Sequence, residues 1–283
     1  LQETGYMSTD DQRFRIFLTN SLEEAHPDSG TLFSSWLSDE STQANAVKRD
    51  TPVMVVMGNP PYSGESANKG KWIMNLMEDY KKEPGGKEKL KEQNSKFIND
   101  DYVKFIRFAQ YFINKNGNGV MAFINPHGFL DNPTFRGMRW NLLQEFDKIY
   151  TIDLHGNSKK KETAPDGSVD QNVFDIMQGV SINLFVKTGN KKANELGKVF
   201  HYDLYGKREL KYDFLFENTI HSIDFNLLEN IEPNYYMVQK DFKELELYDM
   251  GFQVTELFKI NSLGLLTKRD KFITDFQKEE IVY

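Results

Sequence analysis

The chain has 283 residues, 39% hydrophobic and 27% charged, proportions of an ordinary globular protein and a length that suits one large or two small domains. It has no cysteine, which excludes disulfides and a thiolate nucleophile. It also has no apolar run long enough to span a membrane and no signal-peptide pattern in its polar opening, Leu1 to Gly5, so a cytoplasmic location is the default. A net charge of −7 opposes the neutralisation of phosphates on which nucleic-acid affinity largely rests. Any such contact falls to the local runs Lys159-Lys160-Lys161, Lys191-Lys192 and Lys268-Arg269 with Lys271, each of which also reads as a plain solvated face.

In chain order, Arg13 to Leu18 alternates before turning apolar, which predicts a short strand ending in the polar Thr19-Asn20-Ser21. Leu32, Phe33, Trp36 and Leu37 recur at helical spacing, with a polar face through Arg49; they predict a helix crossing over to the next strand. That strand is Val53 to Met57, five apolar residues between Pro52 and Gly58, a pattern expected of a strand buried on both faces of a parallel sheet. At its carboxyl end, the edge where open α/β sheets bind ligands, stands Asn59-Pro60-Pro61-Tyr62. The two prolines fix φ, remove two donors and push Asn59 towards extended backbone, so the segment is rigid with its acceptors outward. A rigid turn after a buried strand would look similar.

Ser63 to Gly70 is small and polar, and a lysine-rich stretch containing Pro84-Gly85-Gly86 follows to Lys96. Such an insertion is expected to be functional or mobile, and it is a candidate cover for a substrate. Asn99 and Asp100 cap an amphipathic helix with Val103, Phe105, Ile106, Phe108, Ala109, Phe112 and Ile113 on its apolar side; Asn116-Gly117-Asn118-Gly119 stops it. Val120 to Ile124 is the next strand, Asn132 and Pro133 start a helix through Phe146, and Lys148 to Leu154 is another strand ending at His155-Gly156. After a polar loop, Asn157 to Asn172, and the segment Asn172-Val173-Phe174, the run Gly179 to Val186 alternates as the expected last strand of the sheet. From about Phe200 aromatics and charges alternate, placing a domain boundary at 199/200. The five histidines have no ligand spacing, and no metal site is expected.

The apolar strand followed by Asn59-Pro60-Pro61-Tyr62 resembles the catalytic motif of the amino-methyltransferases, above all the gamma-type adenine-N6 DNA methyltransferases of large single-polypeptide restriction-modification enzymes. The resemblance implies a Rossmann-like, S-adenosylmethionine-dependent methyltransferase fold over residues 1–199 and the start of a DNA target-recognition region over 200–283, where Gly264 to Phe272 looks like the opening of that region. It implies catalytic roles for Asn59, Pro60, Pro61 and Tyr62, with the Asn59 oxygen and the Pro60 carbonyl accepting from the target amine and Tyr62 stacking on a base flipped from the duplex. It implies further that Asn20 and Asn59 face the cofactor and that Phe174 stacks opposite Tyr62. Neither a metal nor a covalent intermediate is required, and the absence of cysteine separates the chain from the cytosine-C5 branch.

The family's opening strand and its glycine loop have no counterpart before Arg13, so an N-terminally incomplete piece is expected. Its partners would be double-stranded DNA and the rest of a longer polypeptide with nuclease, helicase-like and recognition parts. Two alternatives remain: an amino-methyltransferase acting on protein glutamine or RNA guanine, which use the same tetrad in more compact chains, and a DNA-binding or assembly module inactive alone.

Overall fold

A computed structural model describes residues 15–17, 19–24, 35–64, 66–91, 95–192, 194–244, 247–248, 250–252 and 254–258, with backbone only for 35–39, 95 and 254–255. The chain divides into two compact units, Leu1–Gln239 and Lys240–Tyr283. No described helix is long and apolar enough to cross a membrane.

The first unit begins with α1 (Ser35–Asp50), followed by β1 (Val55–Gly58), α2 (Lys71–Met77) and a 3₁₀ turn, Glu78–Lys81. Then come α3 (Asp101–Asn116), β2 (Gly119–Pro126), α4 (Gly128–Asp131), α5 (Arg136–Glu145) and β3 (Lys148–Asp153). The unit closes with β4 (Val180–Lys187), β5 (Lys198–Asp203), α6 (Arg208–Glu217) and β6 (Asn226–Leu228). The strands form one mixed sheet in the order β1-β2-β4-β3-β5-β6. β1 is parallel to β2 and β3 to β5, while β4 and β6 run opposite to their neighbours.

Strand alternation divides the core in two. Met121, Phe123, Ile149, Phe185 and Val199 meet Val103, Ile106, Ala109 and Ile113 of α3 and Met138 and Leu142 of α5. Ile124, Ile152, Ile182 and Tyr202 point the other way, to Leu154, Val173, Val180, Leu204 and α6 residues Phe214 and Leu215. α3 ends where expected: Gly117 takes φ 87°, and its N–H bonds the carbonyls of Ile113 and Asn114.

Several expectations are corrected. Arg15–Phe17 form no strand, and Arg13, Phe14 and Leu18 lie outside the described residues. β1 is not buried on both faces. It occupies the sheet edge with β2 as its one neighbour among the described residues, and Val55 and Met57 are 63% and 77% exposed. An apolar run reports capacity for burial, whereas burial itself depends on which elements flank the strand. β4 is not the last strand; it is inserted between β2 and β3, and two further strands follow it. The expected boundary at 199/200 cuts β5, because backbone pairing with β3 carries the sheet past it, and the compact unit extends to Gln239.

The insertion after Tyr62 is folded, with Ile73, Met77 and Tyr80 fully buried. Asp79 pairs with Arg107 at 2.8 Å, and Arg136 Nε donates to Glu83 at 2.6 Å. A Cβ on Gly137 would come within 1.9 Å of the Lys82 carbonyl, so α5 packs directly on the backbone of this insertion. Gly264 to Phe272 lie outside the described residues.

Candidate functional site

β1 and β2 run parallel in register, Gly58 opposite Phe123, so Asn59 leaves the sheet beside Ile124. Asn59 and Pro61 are exposed, Pro60 is buried, and Tyr62 is half-buried against both halves of the core. The Tyr62 hydroxyl lies 2.7 Å from Asn59 Oδ1 and 2.9 Å from the Ile124 carbonyl, so its one proton faces two acceptors. Burial pushes the phenol up to about 12, which keeps it a donor at neutral pH.

The loop after the tetrad is fastened to the start of α3. Asp100 stands at the N-cap position without capping the helix. Its carboxylate instead accepts from Gly64 N at 3.1 Å and Ser63 Oγ at 3.3 Å. Asp101 accepts from Ser63, Ser66 and Asn68, while Lys104 donates to Ser66 Oγ at 2.7 Å and to the Asn68 carbonyl. Burial would raise the Asp101 pKa, but the Ser66, Asn68 and Ser63 hydrogen bonds outweigh it and hold the group below its usual value. At Asp100 burial prevails and the pKa is raised.

Asn20 is exposed; its Oδ1 accepts from Leu22 N at 3.0 Å, and its Nδ2 donates to Glu23 at 3.0 Å and to Asn68 Oδ1 at 3.4 Å. It thus reaches the tetrad loop through Asn68. Phe174 is half-buried on the same apolar cluster as Tyr62, formed by Leu154, Val173, Val180 and Leu204. Asn172 Oδ1 accepts from Phe174 N at 2.9 Å, and Arg208 donates to the carbonyls of Asn172 and Phe174 at 2.8 and 3.0 Å. Asn172 also donates to Gly156, where φ is 76° and a Cβ would fall 2.4 Å from Asn172 Cα, so only glycine fits. Phe174 lines a cleft of about 510 Å³ with Asn172, Met177 and Arg208; the tetrad does not line it.

A second polar assembly stands at the carboxyl ends of β2, β3 and β5. His127 Nδ1 lies 2.9 Å from Asp153, His155 Nδ1 is 2.9 Å from Glu162, and His155 Nε2 and His201 Nε2 reach Asp203 at 2.8 and 3.1 Å. Burial alone would lower the His155 pKa, but Asp203 and Glu162 outweigh it and raise it to about 9. Asp203 and Glu162 are held low by the same pairing, Glu162 to about 2. A buried pair beneath the loop, Lys211 and Asp170, meets at 2.8 Å.

Residues 10–159 match the family model described as the Eco57I restriction-modification methylase. The chain belongs to the Eco57I restriction-modification methylase family. Among solved structures it is similar to an ATP-dependent Type ISP restriction-modification enzyme, LlaBIII, bound to DNA, at 24% identity and TM-score 0.71 over 94% of this chain and 18% of that one. A DrdV–DNA complex matches at 24% identity and TM-score 0.71 over 99% of this chain and 28% of the other. A nuclease-deletion mutant of the Type ISP enzyme LlaGI, in complex with a DNA substrate mimic, matches at 22% and 0.67 over 90% and 21%. The chain therefore spans less than a third of the length of each of these proteins. No curated protein sequence matches it.

The α/β methyltransferase fold expected from the sequence is the fold the chain has. The region matching the family contains Asn20 and Asn59 to Tyr62, together with His127, Asp153 and His155; Phe174 lies beyond it. Tyr62 and Phe174 share one apolar cluster, and Asn20 connects to the tetrad loop through one side chain. The histidine–carboxylate assembly was missed. Its signal was a histidine or aspartate within or just beyond the last residues of three strands, His127 after β2, Asp153 and His155 at the end of β3, and His201 and Asp203 at the end of β5. Ligand-type spacing within one segment could not reveal it.

Proposed function

We propose that this chain is the methyl-transferring part of a site-specific adenine-N6 DNA methyltransferase within a restriction-modification enzyme. The observation that carries the reading is Asn59-Pro60-Pro61-Tyr62 at the carboxyl end of β1, with the Tyr62 hydroxyl on Asn59 Oδ1. An exocyclic amine is a weak nucleophile because its lone pair is delocalised into the ring. Acceptors at Asn59 Oδ1 and the Pro60 carbonyl would draw its two N–H bonds and localise the lone pair, and because they are fixed beforehand they stabilise charge as it develops. An amide oxygen has two lone pairs, so Asn59 can accept from Tyr62 and from an amine together.

The cofactor of this reading is S-adenosylmethionine, which supplies an electrophilic methyl on a sulfonium. Asn20 and Asn59 suit it as exposed amides that can hydrogen-bond its polar groups. Tyr62 and Phe174, rigid against one cluster, are the rings that would take the flipped base between them. The partner is double-stranded DNA, contacted in part by the exposed Lys159-Lys160-Lys161 next to the second assembly. The residues after Gln239 would lead into target recognition, and nuclease and helicase-like parts would belong to the same longer, cytoplasmic polypeptide.

A second reading, a module that works only inside a larger assembly, is favoured by the exposed apolar edge at Val55 and Met57. Isothermal titration of the chain with S-adenosylmethionine separates the two. Saturable binding supports a complete cofactor pocket, whereas no heat at millimolar cofactor favours the assembly reading for the isolated chain.

A further inference from the structure

The assembly at the ends of β2 and β3 brings donors of three different residues close together. His127, Asp153 and His155 are all buried, and each offers one ligand atom within 4.8 Å of the other two. Asp153 Oδ1 lies 2.9 Å from His127 Nδ1 and 3.9 Å from His155 Nδ1. Metal–ligand bonds of zinc type make a tetrahedron with edges of about 3.4 Å, midway between those two separations. The third edge, between the two imidazoles, is within 4.8 Å, so the rings must swing towards each other to share an ion with Asp153.

The donors are also held in advance. A Cβ on Gly179 would meet the His127 ring at 2.4 Å, so that ring lies flat on the Gly179 backbone with Nδ1 turned to Asp153. His155 adopts φ 51°, gives its backbone N–H to Asp153 Oδ1 at 2.9 Å and stacks on Tyr205 at 3.8 Å between centroids. Its far nitrogen, Nε2, is oriented by Asp203 at 2.8 Å, the outer carboxylate that metal-bound histidines commonly have. Asp153, Glu162 and Asp203 place three carboxylates around three histidines in this space. Such a set calls for balancing positive charge, from protons on the imidazoles or from a cation. His127 and Asn157 also line a cleft of about 220 Å³, so the His127 side of the assembly borders open space.

We propose that His127, Asp153 and His155 form a binding site for one divalent transition-metal ion. Two imidazoles with one carboxylate and no thiolate favour zinc, cobalt or nickel over magnesium or calcium. The ion would replace the His127 Nδ1–Asp153 hydrogen bond and displace Glu162 from His155 Nδ1. Its role would be to fasten the ends of β2 and β3 together beside the loop that carries Phe174, separately from the transfer chemistry at Asn59.

The test is titration of the chelator-stripped, tag-free chain with Co²⁺, followed by visible absorption. One equivalent should saturate the d–d bands of a four- or five-coordinate ion. Asp153→Asn and His127→Gln should each weaken binding by more than about a hundredfold, beyond what loss of an outer partner costs. Replacing the exposed His221, outside the network, should change nothing. Absence of saturable binding to the unaltered chain overturns the site whatever the variants do. Unchanged binding by folded Asp153→Asn, checked by circular dichroism, overturns the assignment of these ligands.

Discussion

The Tyr62 hydroxyl ties an exposed catalytic candidate to the sheet, bridging Asn59 Oδ1 and the Ile124 carbonyl. Tyr62→Phe keeps the ring and removes this donor. A neutral hydrogen bond of about 1 kcal/mol then predicts a fall of about fivefold in transfer rate, with fluorescence of 2-aminopurine at the target position unchanged. Tyr62→Ala removes the stacking surface, and weaker base capture by about 1–3 kcal/mol should dim that fluorescence change. Since burial pushes this phenol up to about 12, it remains a donor through neutral and mildly alkaline pH. Tyr62→Phe and the unaltered enzyme should accordingly share one pH–rate profile over that range; a limb present only in the unaltered enzyme would contradict this. The tetrad itself was legible because its residues are contiguous. The hydroxyl's partner at Ile124 and the His127–Asp153 contact were not, being 62 and 26 positions apart in sequence.

At the scale of elements, α3, α5, β2, β3 and β4 were legible because an apolar face of one period decides each of them. Two features were not. The insertion after Tyr62 has weak periodicity because polar contacts fasten it, Asp100, Asp101 and Lys104 holding Ser63 to Asn68. β1 read as central because an apolar run cannot report whether a second neighbour exists. Met57→Lys on that edge should change the stability of this chain by no more than about 0.5 kcal/mol in urea denaturation, because Met57 is exposed. Arg139 is a different case: buried, it donates to the carbonyls of Phe129, Asn132 and Asn234 at 2.7, 2.9 and 2.8 Å, and burial lowers its pKa to about 10. Arg139→Met leaves three carbonyls without that donor and should cost about 3 kcal/mol in urea denaturation.

The whole chain, at net charge −7, must engage DNA locally if it engages it at all. Lys159, Lys160 and Lys161 lie exposed on the turn after β3, near the ends of the strands that hold the candidate site. Replacing all three with alanine should weaken DNA binding equally across sequences and lower the salt slope by about one for each phosphate that is no longer neutralised. A sequence-selective effect would contradict a backbone role. The central claim, transfer to adenine N6 directed by Asn59, is tested most directly by the product. DNA incubated with the full polypeptide and S-adenosylmethionine, digested to nucleosides and resolved by mass spectrometry, should yield N6-methyladenine, and Asn59→Ala in a folded enzyme should abolish it. A methyl group found on another base, or undiminished N6-methyladenine from Asn59→Ala, would contradict the account.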